Sequence, residues 1–303
     1  MKKQFAPVVI PTLCRYEHLK SCLESLASCS YSEETEVYIC IDYPKYETHR
    51  DGYNMICNYL DSVKLPFKHL YVIKRTENLG EWGNLLSIYK DVIFKKYNSW
   101  ILTEDDNVFS PNFLEYMNYQ LGLYEYDSTV FAVNGYSFPL DYNYKGQCTY
   151  KTYMFSPWGC GFWTSKFYID TEEEADGYLK NAKTALKIFF KSSYLFETLV
   201  SMRYNGKFYG DAVLRARCMI NGLTCITPVV SKVRNCGYDN SGLNCQDDGG
   251  AHLAQSIDRN IHYSHLDLVN IPNLYVLFSR YFNVSIKRIM KAIIQYFIYV
   301  VKL

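Results

Sequence analysis

The 303-residue chain predicts an α/β fold: a mainly parallel sheet flanked by helices, with a helical extension at its C-terminus. Three observations carry that expectation. Short apolar runs alternate with stretches of helical periodicity from Pro7 to Asn134, the pattern of parallel strands joined by crossover helices. Thr12 to Arg15, Asp42, Asn78 and Glu104 to Asp106 all follow the carboxyl ends of those runs. That rim is where ligands of such sheets bind. Beyond about residue 140 the alternation gives way to an aromatic, glycine-bearing stretch and then to helices.

The elements follow in order. Pro7-Val-Val-Ile-Pro-Thr12 reads as a buried parallel strand, and Leu19, Cys22, Leu23 and Leu26 share one face of the next helix. Glu36 to Asp42 is a second strand, followed by a helix carrying Met55, Ile56, Tyr59, Leu60 and Val63. Lys68 to Lys74 is a third strand, and the loop Glu77-Asn78-Leu79-Gly80 opens a helix with Trp82, Leu85, Leu86, Tyr89 and Ile93 on one face. Trp100-Ile-Leu leads into Glu104-Asp105-Asp106; Ser110 as N-cap and Pro111 at the first helical position then predict a helix to about Leu123. Val130 to Asn134 is a further strand. Tyr150 to Trp163 reads as a loop, helices are expected near Ala182–Tyr204 and Ala212–Asn221, and Gly249 to Asn260 reads as irregular surface.

The acidic triplet is the most informative segment. Three packed carboxylates repel one another, and a divalent cation offsets that repulsion and can in turn hold a diphosphate. On an extended backbone Glu104 and Asp106 would point one way and Asp105 the other. An acidic loop after a strand is the plain alternative.

Composition narrows the field. Nearly half the residues are apolar, enough for a sizeable core, and a net charge of +1 argues against nucleic acid as the main partner. The eleven cysteines include no Cys-x-x-Cys pair, so neither a zinc site nor a disulfide framework is indicated, and a reducing cytoplasm is the simplest home. The N-terminal apolar run is short and broken by Pro7 and Pro11, which suits a first strand better than a signal peptide. No stretch reaches the roughly 18 apolar residues of a membrane-spanning helix.

Four pieces together resemble a GT-A nucleotide-sugar glycosyltransferase, in particular the inverting N-acetylglucosaminyltransferase I family and its bacterial family-2-like relatives. They are the opening strand and turn Val8-Val-Ile-Pro-Thr-Leu-Cys-Arg15, the strand ending at Asp42, the triplet Glu104-Asp105-Asp106 as a variant of the Asp-x-Asp motif, and Tyr209-Gly210-Asp211-Ala-Val-Leu. The likeness covers most of residues 5 to 245. It implies a Rossmann-like GT-A catalytic domain over 1–245 (nucleotide-binding half 1–136, acceptor half 137–245) and an extension over 246–303.

The resemblance also implies roles. Thr12, Arg15, Asp42, Asn78, Glu104 and Asp105 would meet the nucleotide, with Asp105 at the ribose. Asp106 would hold a Mn²⁺ or Mg²⁺ that reaches the diphosphate. Trp158 and Gly159 would shape the sugar and acceptor pocket, and Asp211 would be the general base of an inverting displacement. Two positions depart from the family pattern: Ser241-Gly242-Leu243 is followed by Asn244 where relatives carry a His, the nearest being His252, and Gly210 stands where a Ser or similar residue is expected.

The residues leave alternatives open. Asp211 could be a helix cap, Asp42 could cap its turn, Arg15 could be a solvated residue, Trp158 and Trp163 could be core aromatics, and Lys232 and Arg234 could help hold a diphosphate but read rather as solvated strand charges. The partners expected are a UDP-sugar donor and a glycan or lipid-linked acceptor of surface polysaccharide synthesis. Val284–Leu303 reads as a basic amphipathic helix, suited to the inner face of a membrane, to the catalytic domain or to a second subunit of a homo-oligomer. Two other functions compete. A sugar-nucleotide nucleotidylyltransferase would want a glycine-rich basic loop, which Pro11-Thr-Leu-Cys-Arg15 lacks; a non-catalytic carbohydrate-binding subunit would carry a degenerate site.

Overall fold

A computed structural model describes residues 4–140, 144, 147–241, 252–264 and 268–302. The strands are β1 (Val8–Thr12), β2 (Glu36–Ile41), β3 (His69–Lys74), β4 (Ser99–Leu102), β5 (Asn107–Phe109), β6 (Val130–Asn134), β7 (Thr149–Thr152), β8 (Cys160–Trp163), β9 (Thr224–Pro228) and β10 (Val233–Asn235). The helices are α1 (Tyr16–Ala27), α2 (Arg50–Ser62), α3 (Gly80–Ile88), α4 (Phe94–Lys96), α5 (Phe113–Leu123), α6 (Glu172–Lys180), α7 (Ala182–Lys191), α8 (Ser193–Tyr204), α9 (Gly210–Asn221), α10 (Leu274–Tyr281) and α11 (Ile286–Lys302). A π turn, Tyr89–Ile93, joins α3 to α4.

Eight strands form one sheet in the order β3-β2-β1-β4-β8-β6-β9-β7, and β5 pairs with β10 in a small separate ribbon. The first four strands run parallel, while β8 and β7 run against their neighbours. This is the α/β architecture, with a helical C-terminal region, that the GT-A resemblance implies.

The opening run folds as a central strand because nearly all of it is apolar: Val8, Val9 and Ile10 are fully buried. Its prolines are placed where they do no harm. Ile101 and Thr103 donate to the carbonyls of Pro7 and Val9, so the odd residues of β1 turn their polar groups toward β4. The β1–β4 register ends at Val9↔Leu102, so the missing N–H of Pro11 falls where that ladder has already stopped. The chain therefore opens a gap between β1 and β4. That gap is also where strand order reverses, since β2 and β3 lie to one side of β1 and β4 to the other. Such a switch point is where doubly wound sheets take ligands.

The structure corrects several expectations. The helix after the triplet begins at Phe113 rather than Pro111, with Asn112 at its N-cap; the Ser110 hydroxyl donates to the Asn112 side chain instead of capping a helix. Residues 150–163 are not a loop but β7, a turn and β8. The helical stretch 182–204 breaks at Ser192, whose hydroxyl caps α8 by accepting from the Leu195 amide at 3.2 Å. Residues 252–260 are irregular as expected, yet Asp258 is buried rather than on the surface. It pairs with Lys232, which is itself fully buried and not a solvated strand charge. The expected domain boundary at 245/246, and Gly242, Leu243 and Asn244, lie outside the described residues.

Candidate functional site

β4 ends at Leu102, and Asp105 and Asp106 sit in a turn rather than an extended run. The expected alternation of side chains is therefore lost, and both aspartates face Arg15. Its guanidinium pairs with Asp105 through one nitrogen and with Asp106 through the other at 2.8 Å. Thr12 at the end of β1 donates to Asp105 at 2.7 Å. On the other side Asn235 of β10 donates to Asp106 at 2.9 Å, and the Cys236 amide donates to the Asp106 carbonyl at 2.8 Å. Gly237 closes over this carboxylate: a Cβ there would stand 2.1 Å from Asp106 Oδ2. Arg15 is thus fixed by two carboxylates and is not the solvated residue that sequence allowed.

The electrostatics of the cluster are lopsided. Burial pushes the Asp105 carboxyl up, against the lowering effect of Arg15 and Thr12. Glu104 is pushed well up, first by burial and then by Asp106 and Glu81. Glu81, at the start of α3, is also raised by burial and by Asp105. The residue is nevertheless exposed to solvent. Four carboxyl groups surround one guanidinium, and burial with mutual repulsion pushes three of them toward the neutral form, a strain that a bound cation would relieve. Hard oxygen donors suit Mn²⁺ or Mg²⁺. Among the described residues no three His, Cys, Asp or Glu side chains stand together as a ready metal cage. Both oxygens of Asp106 are engaged, one by Arg15 and one by Asn235, so an ion held there would have to displace the Arg15 guanidinium and take its remaining ligands from phosphate and water.

Asp42 and Asn78 form the adjoining wall. The Asp42 carboxylate accepts from the Tyr43 and Leu79 amides at 2.9 Å each and from the Asn78 side chain at 3.0 Å. Asn78 also donates to the Tyr43 carbonyl at 2.7 Å. The two residues tie the β2 exit to the loop that starts α3, the helix that carries Glu81 and the exposed Trp82. Trp82 belongs to no buried helix face, contrary to its place in the periodicity; its ring lies 6.5 Å from that of Phe208.

Phe208 leads into α9. The N-cap there is Tyr209, so Asp211 does not cap; it lies in the first turn and pairs with Arg215 one turn on at 2.9 Å. Trp158 is half-buried, packed edge-on against Tyr136, Tyr238 and His252, and Tyr238 stacks on His252 at 3.7 Å. Trp163 is core, its indole donating to the Leu121 carbonyl at 2.9 Å. Gly159 does mark a close approach, but of the protein to itself. It has φ +64°, and a Cβ would meet Val233 at 2.7 Å and Phe113 at 3.0 Å. The expected open glycine loop is not found.

Thr12, Arg15, Asp105 and Asp106 thus form one hydrogen-bonded cluster, Asp42 and Asn78 a second beside it, and Asp211 stands apart on α9. Sequence reasoning missed Glu81, Asn235 and Gly237, which lie in no motif. It also missed Asp170, whose buried carboxyl sits against Gly210. Glu81 stands seven residues past the expected strand end at Lys74, too far along the chain for the rim argument to reach it, and Asp170 gave no signal.

No protein-family model matches the chain, and no curated protein matches it by sequence. Among solved structures it is similar to S. aureus TarS 1–349 at 15% identity, covering 65% of each chain with a TM-score of 0.38. It is similar to TarS 1–349 in complex with UDP-GlcNAc at 18% identity, covering 63% of this chain and 54% of that one with a TM-score of 0.37. It is similar to the mannosyltransferase PcManGT from Pyrobaculum calidifontis in complex with GDP-Man and Mn²⁺ at 12% identity, covering 71% and 69% with a TM-score of 0.42. The chain spans 30% of a further TarS structure. Likenesses this distant decide nothing about the site; the architecture rests on the chain's own strand order.

Proposed function

We propose that this chain is a metal-dependent, inverting glycosyltransferase of GT-A type that moves a sugar from a nucleoside diphosphate sugar, most simply a UDP-sugar, to a hydroxyl of a glycan or lipid-linked acceptor. One observation carries the reading: Thr12, Arg15 and the Glu104–Asp106 turn meet in the gap between β1 and β4, where strand order reverses. Asp106 would hold a divalent ion, which when bound neutralises charge on the departing diphosphate. Arg15, held between Asp105 and Asp106, is placed to move its guanidinium onto a phosphate or base once a cation takes its place. Asp42 and Asn78 fix the loop that walls the nucleotide. Asp211 would take the proton of the acceptor hydroxyl, and its Arg215 partner would orient the carboxylate. The sheet continues without a break from β3 to β7, which suits one catalytic domain over 1–245. The extension carries an outward apolar stripe with lysines, which suits a peripheral place on the cytoplasmic face of a membrane.

The test is a thermal-shift panel of UDP, GDP, CDP and dTDP, with and without Mn²⁺, on wild type and Asp106→Asn. A Mn²⁺-dependent shift with one nucleotide, lost in the variant, is expected; saturation at ~100 times the dissociation constant adds about 2.7 kcal/mol. No shift with any nucleotide would favour a carbohydrate-binding subunit. Asp211→Asn should keep the nucleotide shift and lose product.

A further inference from the structure

Arg15 stands at the N-cap of α1, where its side chain makes no capping bond; its guanidinium reaches across to the Glu104–Asp106 turn instead. The oxygens of Asp105 and Asp106 divide cleanly between neutral and charged partners. Thr12 donates to Asp105 Oδ2 at 2.7 Å, and Asn235 donates to Asp106 Oδ1 at 2.9 Å. The remaining oxygen of each, Asp105 Oδ1 and Asp106 Oδ2, faces a different nitrogen of the one guanidinium. Two neutral donors thus hold one oxygen of each carboxylate, and a single cation spans the other two. Both aspartates are buried, whereas the Arg15 side chain stays 22% exposed. Arg15 is therefore the member of the cluster with a way out. Gly237 leaves it that room, since a Cβ there would stand 3.3 Å from Arg15 Nη1. Taking the guanidinium away with nothing in its place would strand two buried carboxylates, which is costly.

We propose that Arg15 is an internal counter-ion that closes the cation site of the donor-free protein and yields it only when a donor diphosphate arrives, so that metal and nucleotide load together. The proposal rests on the reading above, in which Asp106 holds the metal. A divalent ion at Asp106 competes for the same oxygens as the guanidinium. Metal alone must break a charge-assisted pair that is already made, and it leaves Arg15 without a carboxylate partner. A diphosphate changes that balance. Its oxygens accept a guanidinium in the same forked geometry as a carboxylate does, so Arg15 trades its two aspartates for phosphate oxygens. The oxygens that Arg15 leaves are then open to the metal, whose other ligands would be phosphate and water. Charge stays balanced in the exchange, because the aspartates gain a dication while Arg15 follows the incoming anion. The coupling is reciprocal: the factor by which nucleotide tightens metal binding is the factor by which metal tightens nucleotide binding.

Mn²⁺ binding, followed by loss of the free-ion EPR signal, tests this without any activity. In the absence of nucleotide, Arg15→Met should bind Mn²⁺ about tenfold more tightly than wild type, within the usual range of coupling between sites. Adding Asp106→Asn to that variant should remove the gain. Nucleotide-free wild type that binds Mn²⁺ as tightly as Arg15→Met overturns the proposal. A second readout needs only folded wild type: the ¹⁵N side-chain resonances of arginine, with that of Arg15 assigned from its loss in Arg15→Lys. The Arg15 signal should stay in place with Mg²⁺ alone and move when Mg²⁺ and UDP are added together; an equal movement with Mg²⁺ alone also overturns the proposal. The two readings fail differently. Mn²⁺ binding with UDP that Asp106→Asn abolishes, but that Arg15→Met leaves unaltered when UDP is absent, keeps the donor site and sinks only the role of Arg15. No Mn²⁺ bound by wild type or variant with UDP present sinks the donor site and the counter-ion role together.

Discussion

Asp170 is held at about 6 by burial, against an ordinary value of 3.8, so its neutral form is the one the fold prefers. The folded state therefore binds the proton more tightly than the unfolded chain. Below about pH 4 both are protonated and nothing is lost; between 4 and 6 stability falls as pH rises, and above 6 the whole penalty is present. A shift of this size corresponds to about 3 kcal/mol. Asp170→Asn should thus be more stable than wild type at pH 7 by up to that amount, with the gap closing by pH 4 in denaturant melts. A variant that is less stable at every pH would show that the hydrogen bond the carboxyl accepts from its own backbone outweighs the burial penalty. The Lys232–Asp258 pair predicts the opposite behaviour. The ammonium is fully buried, with Asn112 accepting at 3.1 Å beside Asp258. Lys232→Ala strands a buried carboxylate and should cost about 3–5 kcal/mol. The double change Lys232→Met with Asp258→Leu should cost clearly less, which a double-mutant cycle would read. Gly237→Ala sets a methyl against Asp106 and is expected to abolish the Mn²⁺-dependent nucleotide shift while moving the melting temperature little.

At the scale of elements, legibility followed burial and period. β1, β2 and the α1 face were readable because their apolar positions are buried on both sheet faces or at helical spacing, and the structure places Leu19, Cys22, Leu23 and Leu26 in the core as expected. The α9 end was readable too, since Gly222 with φ +69° stops the helix one residue past Asn221. Gly222→Ala is expected to cost about 1 kcal/mol from that backbone strain, visible as a lowered melting temperature with no change in nucleotide binding. What failed were segments whose residues answer to distant partners. The 150–163 segment looks like a loop because Pro157, Gly159 and Gly161 break local periodicity. It forms strands because β7 pairs with β9 and β8 fits between β4 and β6. Ser110 has a cap's chemistry, yet its hydroxyl is drawn to Asn112, which in turn donates to Asp258 at 3.1 Å, 146 residues away. The acidic triplet was legible as a cluster of carboxylates at the end of a strand, but the turn that swings both aspartates onto Arg15 was not. Nor were Asn235 and Gly237, because the β5–β10 ribbon that brings them to Asp106 joins segments more than a hundred residues apart.

At the scale of the whole molecule, α11 presents an apolar surface whose partner can be tested. Its inner face packs on α8 and α6: Arg288 pairs with Glu197 of α8 at 2.7 Å, and Tyr299 donates to Asp176 of α6 at 2.7 Å. Its outer face is not polar, as a solvent-facing helix surface would be. Ile286, Met290, Ile294, Phe297, Ile298 and Val301 are all exposed, Ile286 and Val301 by 80% or more. Lys287 and Lys291 flank the stripe, and the helix contains no acid. Helix α7, which also packs on α8, repeats the pattern with exposed Leu186 and Phe190 among Lys183, Lys187 and Lys191. Among the described residues no helix is long and apolar enough to cross a membrane. A second copy of the chain would set like charges against each other across a two-fold axis, whereas an anionic lipid surface satisfies both the stripe and the lysines. The protein should therefore float with vesicles containing anionic lipid and not with neutral ones. Lys287→Gln and Lys291→Gln should each weaken that binding by about 1 kcal/mol and reduce its salt sensitivity. Ile294→Ser with Phe297→Ser should abolish flotation at an unchanged melting temperature, because exposed side chains contribute little to folding. Equal binding to both vesicle types, or a concentration-dependent dimer that the same serine variants dissolve, would assign the stripe to a second subunit.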